Sequence, residues 1–209
     1  MLYFLRHGES EANVLGVFSN RGIQHGLTEK GIKQAEECRE KLSSIAFQAI
    51  YTSPLQRTVE TARIVSRGKG VEVQVEPRLV EFDVGVLEGR GDPESWQTFS
   101  GLWKEWFLQN NHHARLDGGE SLEDVHARFF ELVEHVGEQQ QQDPQAHFLF
   151  VSHGGTLSCT LPFLFTDFPA EIIRSEPLGN CQWVTGFLQG DQWYCHRWGQ
   201  TLLHELPSG

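Results

Sequence analysis

Two short apolar runs far apart in the chain end the same way. Leu2-Tyr-Phe-Leu5 stops at Arg6-His7-Gly8-Glu9, and Phe148-Leu-Phe-Val-Ser152 stops at His153-Gly154-Gly155. Runs this short, without charge, read as buried strands. A guanidinium or an imidazole placed directly after such a run resists burial, so each strand must end where the polar residue begins. In a parallel sheet the carboxyl ends of the strands share one edge, where ligands bind and where helix amino termini direct free N–H groups at anions. The arrangement allows two histidines to meet at that edge.

Hydrophobic periodicity extends the map. Strands are expected at residues 1 to 5, 48 to 52, 71 to 76, 147 to 152, 181 to 188 and 192 to 198, with the last two joined through Gln189-Gly190-Asp191 as an antiparallel hairpin. Between them lie helical patterns. Thr28 is an N-cap candidate, followed by Ile32, Ala35, Cys38 and Leu42 on one face. A second helix is expected from about Leu55 to Ser66, before Gly68-Lys69-Gly70, and a third from Ser121 through Val125, Phe129, Leu132 and Val136. Strands alternating with helices predict an α/β fold, a three-layer α/β/α sandwich whose central sheet is mostly parallel. No repeat or interdomain linker interrupts residues 1–209, so one domain is expected.

Residues 91–119 fit this alternation least well and are read as a helical cap or insertion. Phe99, Trp103, Trp106 and Phe107 are spaced for one helical face. Packing against the body accounts for that stripe, and so does a wall that selects the group attached to a substrate. Arg90-Gly91-Asp92 reads as an ordinary turn, and the Gln139 to Gln142 run as a fraying helix end.

Among the 209 residues, 28 acidic against 17 basic side chains leave a formal charge of −11. That balance disfavours nucleic acid and anionic membranes as partners but permits a small anionic substrate in a locally positive pocket. Cys38, Cys159, Cys181 and Cys195 form no Cys-x-x-Cys pair, and there is no Asn-x-Ser/Thr site or membrane-length apolar run. A cytoplasmic protein with free thiols is the expectation, with a Cys181–Cys195 bridge as the alternative.

Two further segments bear on the histidine edge. Thr52-Ser53-Pro54-Leu55-Gln56-Arg57 is again a strand end followed by a helix, and Glu81 follows the strand predicted to end near Glu76. Histidine, arginines and a carboxylate at strand ends fit covalent phosphoryl transfer: a nucleophile attacks phosphorus, cations hold its oxygens and an acid protonates the leaving group. Two histidines and a glutamate would also suit Zn²⁺. Against that, Arg6 beside His7 raises a positive potential that disfavours a cation.

These segments resemble the histidine phosphatase superfamily, the phosphoglycerate mutase-like proteins. Leu5-Arg6-His7-Gly8-Glu9-Ser10 is similar to the family's opening signature, and Asn13 stands where relatives often carry a phosphate-binding Asn. Leu27 to Ala35, Ser53 to Ala62, Leu79 to Gly89, Gly118 to Leu122 and Ser152-His153-Gly154-Gly155 resemble later family motifs, in family order. The resemblance implies that His7 is a nucleophile that becomes phosphohistidine. It also implies that Arg6, Asn13, Arg57, His153 and Gly154 bind the phosphoryl group, and that Glu81 is the proton donor. Arginine and imidazolium charge would then replace a metal, and no cofactor is implied.

Within the family, Ala12, Phe82-Asp83 and Gly155-Thr156 depart from the mutase pattern of Trp before the Asn, a basic or aromatic pair after the Glu, and Asn-Ser after the second His-Gly. Glu88-Gly89 resembles the phosphatase branch, so hydrolysis of a small phosphorylated metabolite is expected, with a cofactor-dependent mutase and a non-catalytic phospho-ligand binder as alternatives. Asn20-Arg21-Gly-Ile-Gln-His25-Gly26-Leu27 also departs from relatives. Arg21 and His25 are therefore candidates for substrate contact, the other reading being exposed loop residues. The alcohol portion of the substrate and the choice between monomer and homodimer stay open.

Overall fold

The computed structural model describes residues 1–22 and 25–206; Ile23 and Gln24 of the unusual loop lie outside them. Seven strands form one sheet in the order β3-β2-β4-β1-β5-β6-β7. They are β1 (Leu2–Arg6), β2 (Phe47–Thr52), β3 (Val73–Val75), β4 (His147–Ser152), β5 (Trp183–Gln189), β6 (Gln192–Trp198) and β7 (Thr201–Leu202). β1, β4, β2 and β3 run parallel, while β5, β6 and β7 continue the sheet antiparallel. The parallel half, the antiparallel edge and the flanking helices agree with the fold read from the sequence. The strand predicted at residues 71 to 76 shortens to three residues, because it is an edge strand paired only with β2.

Helices α1 (Glu11–Leu15), α2 (Glu29–Lys41), α3 (Gln56–Val65), α4 (Pro93–Leu108), α5 (Leu122–Gln142), α6 (Gly154–Leu164) and α7 (Ile172–Ser175) complete the framework. α2 starts where Thr28 Oγ1 accepts the Gly31 N–H, and α5 starts in a Ser121/Asp124 capping box. The five-residue α1 was missed, being too short for a periodic pattern; Ser10 and Asn13 make its capping box.

β1 and β4 are central and buried on both faces, hence their unbroken apolar runs. Leu2, Phe4, Phe148 and Phe150 join Phe129, Leu132, Val133 and Val136 of α5 in one core layer. Tyr3, Leu5, Leu149 and Val151 face Cys38, Leu42, Ala62 and Val65 from α2 and α3 in the other. Each fully buried Leu, Val or Phe among them contributes about 1.5–3 kcal/mol. A third cluster under α4 gathers Phe18, Phe82, Val84, Leu102, Trp106, Leu122 and Val125. Of the predicted aromatic stripe, Trp106 is buried and Phe99, Trp103 and Phe107 are half-buried against the same cluster, while Trp96, outside the stripe, is 41% exposed. The cysteines are free, and Cys195 sits opposite Gly186 rather than Cys181 in the β5–β6 register, so the alternative bridge does not form. Among the described residues, no helix is long and apolar enough to cross a membrane.

Candidate active site

The register between the central strands builds the site. Arg6 is level with Ser152, and Thr52 with Val151, so His7, His153 and Ser53 leave the sheet side by side. The His7 and His153 ring centroids are 5.2 Å apart. α3 begins just after β2, and Arg57, in its first turn, reaches back to donate from Nε to His7 Nε2 at 3.2 Å. Arg6, His7, Asn13, Arg57, Glu81 and Gly154 line one cavity of about 830 Å³. Of the residues expected to bind phosphate, His153 is fully buried and packs behind that surface.

Hydrogen bonding fixes the state of His7. An Arg57 N–H can be accepted only by a nitrogen lone pair, so Nε2 carries no proton and Nδ1–H donates to the Gly8 carbonyl at 2.6 Å. Burial pushes the imidazole well below its ordinary 6.5, and the charges of Arg57 and Arg6 push the same way. His153 is also pushed well down, by burial first and then by Arg57 and His7. Its Nε2 meets Ser53 Oγ at 2.8 Å. Burial, with the charge of Arg57 adding to it, therefore opposes an imidazolium at His153 in the free site.

Three buried nitrogens, Arg6 Nε, Arg57 Nη1 and His153 Nδ1, have no hydrogen-bond partner in the protein. Such atoms are costly unless a partner satisfies them, and here they cluster around His7. Arg6 is held by its Nη1 bond to the Leu178 carbonyl at 2.6 Å. Asn13 Oδ1 is occupied by the Ser10 N–H and by Asn180 Nδ2, and Asn180 also donates to the His7 carbonyl at 3.1 Å.

Glu81 caps the amino terminus of α6. Its Oε2 accepts the Gly155 N–H at 3.0 Å; its Oε1 accepts the Thr156 N–H at 2.7 Å and lies 2.9 Å from Thr156 Oγ1. The glycines after His153 permit this approach. A β-carbon at Gly155 would fall 2.7 Å from Glu81 Oε1 and from Phe82 Cε1, and one at Gly154 would fall 3.0 Å from Arg6 Nε. Among the described residues, no group of three or more His, Cys, Asp or Glu side chains is arranged to hold a metal ion.

Arg21 does not line the cavity; Nε pairs with Asp83 at 2.7 Å and Nη2 donates to the Gly118 carbonyl at 2.6 Å, tying two loops together. His25 likewise turns to Ser19 Oγ, at 2.8 Å. Sequence reasoning missed Thr156, Asn180 and Ser53 as partners of the reactive set. Thr156 and Ser53 sat inside motifs already noticed, but nothing in the local pattern singled out Asn180.

The fold is an α/β sandwich in which two histidines and two arginines gather at one edge of the sheet. The family model for the histidine phosphatase superfamily (branch 1) matches residues 2–201, and the chain belongs to that family. It is 31% identical over 201 residues to the probable phosphoglycerate mutase GpmB of Cronobacter sakazakii, covering 94% of this chain and 89% of that protein. Among solved structures, it resembles a putative alpha-ribazole-5'-P phosphatase from Escherichia coli, with a TM-score of 0.77, 25% identity and 98% of each chain covered. It also resembles a mycobacterial glucosyl-3-phosphoglycerate phosphatase complexed with VO3, with a TM-score of 0.78 and 27% identity over 96% of this chain and 98% of that one.

Proposed function

We propose that this protein is a metal-independent phosphomonoesterase that works through a phosphohistidine on His7. The observation that carries the reading is the Arg57 Nε–H directed at His7 Nε2, which presents an unprotonated lone pair in an arginine-lined cavity. As substrate enters, the Arg57 Nε–H shifts from Nε2 to a non-bridging oxygen and the freed lone pair attacks phosphorus, while Arg6 and His153 donate to the other oxygens, aided by Asn13 and the Gly154 end of α6. The P–O bond to the alcohol breaks, and the leaving oxygen takes a proton from the Glu81 carboxyl group. Water then attacks the phosphohistidine, giving its proton to the Glu81 carboxylate. The P–N bond breaks to regenerate His7 and release phosphate.

The curated names favour a second reading, a phosphoglycerate mutase, in which the phosphoryl group passes to a second substrate rather than to water. Gly155-Thr156 and Phe82 depart from the mutase pattern and pack Glu81 against the start of α6, which supports transfer to water. Phosphate release from 4-nitrophenyl phosphate in EDTA tests the proposal. Sustained turnover that His7→Ala abolishes is expected, whereas activity restored only by added metal contradicts it. Bisphosphoglycerate-dependent interconversion of phosphoglycerates outpacing hydrolysis would establish the mutase instead.

A further inference from the structure

The cavity is far larger than a phosphoryl group and its immediate ligands require. At about 830 Å³ it lies near the upper end of sites that enclose drug-sized ligands. Beyond the His7 floor, one wall is aromatic. Phe18, Phe82, Trp96, Phe99 and Trp103 line it, with Phe18 and Trp96 centroids 4.3 Å apart and Phe82 stacked on Phe99 at 5.9 Å. The Trp96 indole is fixed by Nε1 donating to the Gly16 carbonyl at 3.0 Å, so a large ring surface is held in place while 41% exposed. A rigid aromatic wall left partly uncovered suits a planar apolar partner.

The charges lining the same cavity are lopsided. Arg6, Arg57, Lys104 and Arg174 face it, and Glu81 is its one carboxylate among the described residues. Arg6 and Arg57 belong to the phosphate floor. Lys104 on α4 and Arg174 on α7 are exposed, and among the described residues neither has an acidic side chain within salt-bridge distance, although the chain carries 28 acidic residues. Two cations kept clear of counterions beside an aromatic wall provide a second place for negative charge.

We propose that the physiological substrate is a phosphomonoester of a ring-bearing, largely apolar alcohol that carries a second anionic group, with the ring against the α4 wall and the second anion between Lys104 and Arg174. This rests on the phosphomonoesterase reading for turnover, but binding tests it separately. The probes are three non-hydrolysable phosphonates: a naphthyl phosphonate, the same compound with a distal sulfonate, and a glyceryl phosphonate. Quenching of the cavity tryptophans, or calorimetry, reports affinity. The naphthyl compound should bind about tenfold tighter than the glyceryl one, and the sulfonate should add about tenfold at low salt, shrinking as salt rises. Lys104→Gln with Arg174→Gln should bring the sulfonated-to-plain affinity ratio close to one, and Trp103→Ala should reduce the ring-to-glyceryl ratio. Equal affinities for all three probes, or a sulfonate advantage untouched by the double substitution, overturn the proposal. Selective binding without phosphate release from any ester would instead overturn the catalytic reading and leave the substrate-shaped pocket in place.

Discussion

Glu81→Gln separates proton donation from structure, and its effects can be worked out from the contacts of the carboxylate. Oε1 accepts the Thr156 and Phe82 N–H groups and Oε2 accepts that of Gly155. An amide has only one acceptor oxygen, so in its better orientation its NH₂ confronts the Gly155 N–H. Leaving that donor unsatisfied costs about 1–3 kcal/mol, and each kcal/mol lowers the Tm of a chain this size by about 2–4 °C. Catalysis should suffer differently. A positioned general acid contributes about 10²–10⁴-fold, and the loss should depend on the alcohol being released. An alkyl phosphate needs the proton and should lose most of that factor, whereas 4-nitrophenolate departs without one and should lose little in the step that forms phosphohistidine. The assay is single-turnover alcohol release from both esters, alongside thermal unfolding. An equal loss for both leaving groups, with Tm unchanged, would refute the assignment of Glu81 as the acid.

Further outcomes follow from the same contacts. Because His7 and His153 are held neutral when folded, the unfolded chain binds more protons between their depressed folded values and 6.5. Stability should therefore fall as pH drops below 6.5, by about 1.4 kcal/mol per pH unit for each histidine. Urea unfolding at pH 7 and 5.5 measures this, and a flat dependence in that window contradicts the buried neutral pair. Arg57→Met removes a charge that depresses His7 while burial continues to do so, so the acid limb of the kcat/KM profile should move to higher pH, with activity down about 10²–10³-fold. An acid limb that does not move would detach Arg57 from the nucleophile. Gly155→Ala places a methyl 2.7 Å from Glu81 Oε1 and should cut turnover while circular dichroism stays native; wild-type turnover would show that Glu81 need not sit at this helix end.

Much of the fold was legible because its central strands are buried on both faces. The apolar runs Leu2 to Leu5 and Phe148 to Val151 stop at Arg6-His7 and near His153, and that change of character marked the sheet edge where these side chains gather, while Thr28 and Ser121 marked helix starts through ordinary capping chemistry. What escaped was set by contacts remote in sequence. Ser53 meets His153 across 100 residues, and Asn180 reaches His7 across 173, distances over which no local pattern carries information. Arg21 stood between substrate contact and an exposed loop residue, and the Asp83 and Gly118 groups that hold it lie 62 and 97 residues away. β3 is shorter than its alternating valines suggested, since an edge strand has only one neighbour to extend its pairing. The aromatic segment was legible as a helix but not in its orientation, because both of its faces carry large rings and only packing divides Trp106 from Trp96.

One nitrogen, His7 Nε2, carries the proposed chemistry. Rapid quenching of the protein during turnover of a ³²P-labelled phosphomonoester, followed by peptide mapping, should find acid-labile, base-stable label on His7, attached at Nε2 because Nδ1–H is committed to the Gly8 carbonyl. Label on Nδ1, on His153 or on a carboxylate, or active turnover with no labelled residue at any quench time, would contradict it.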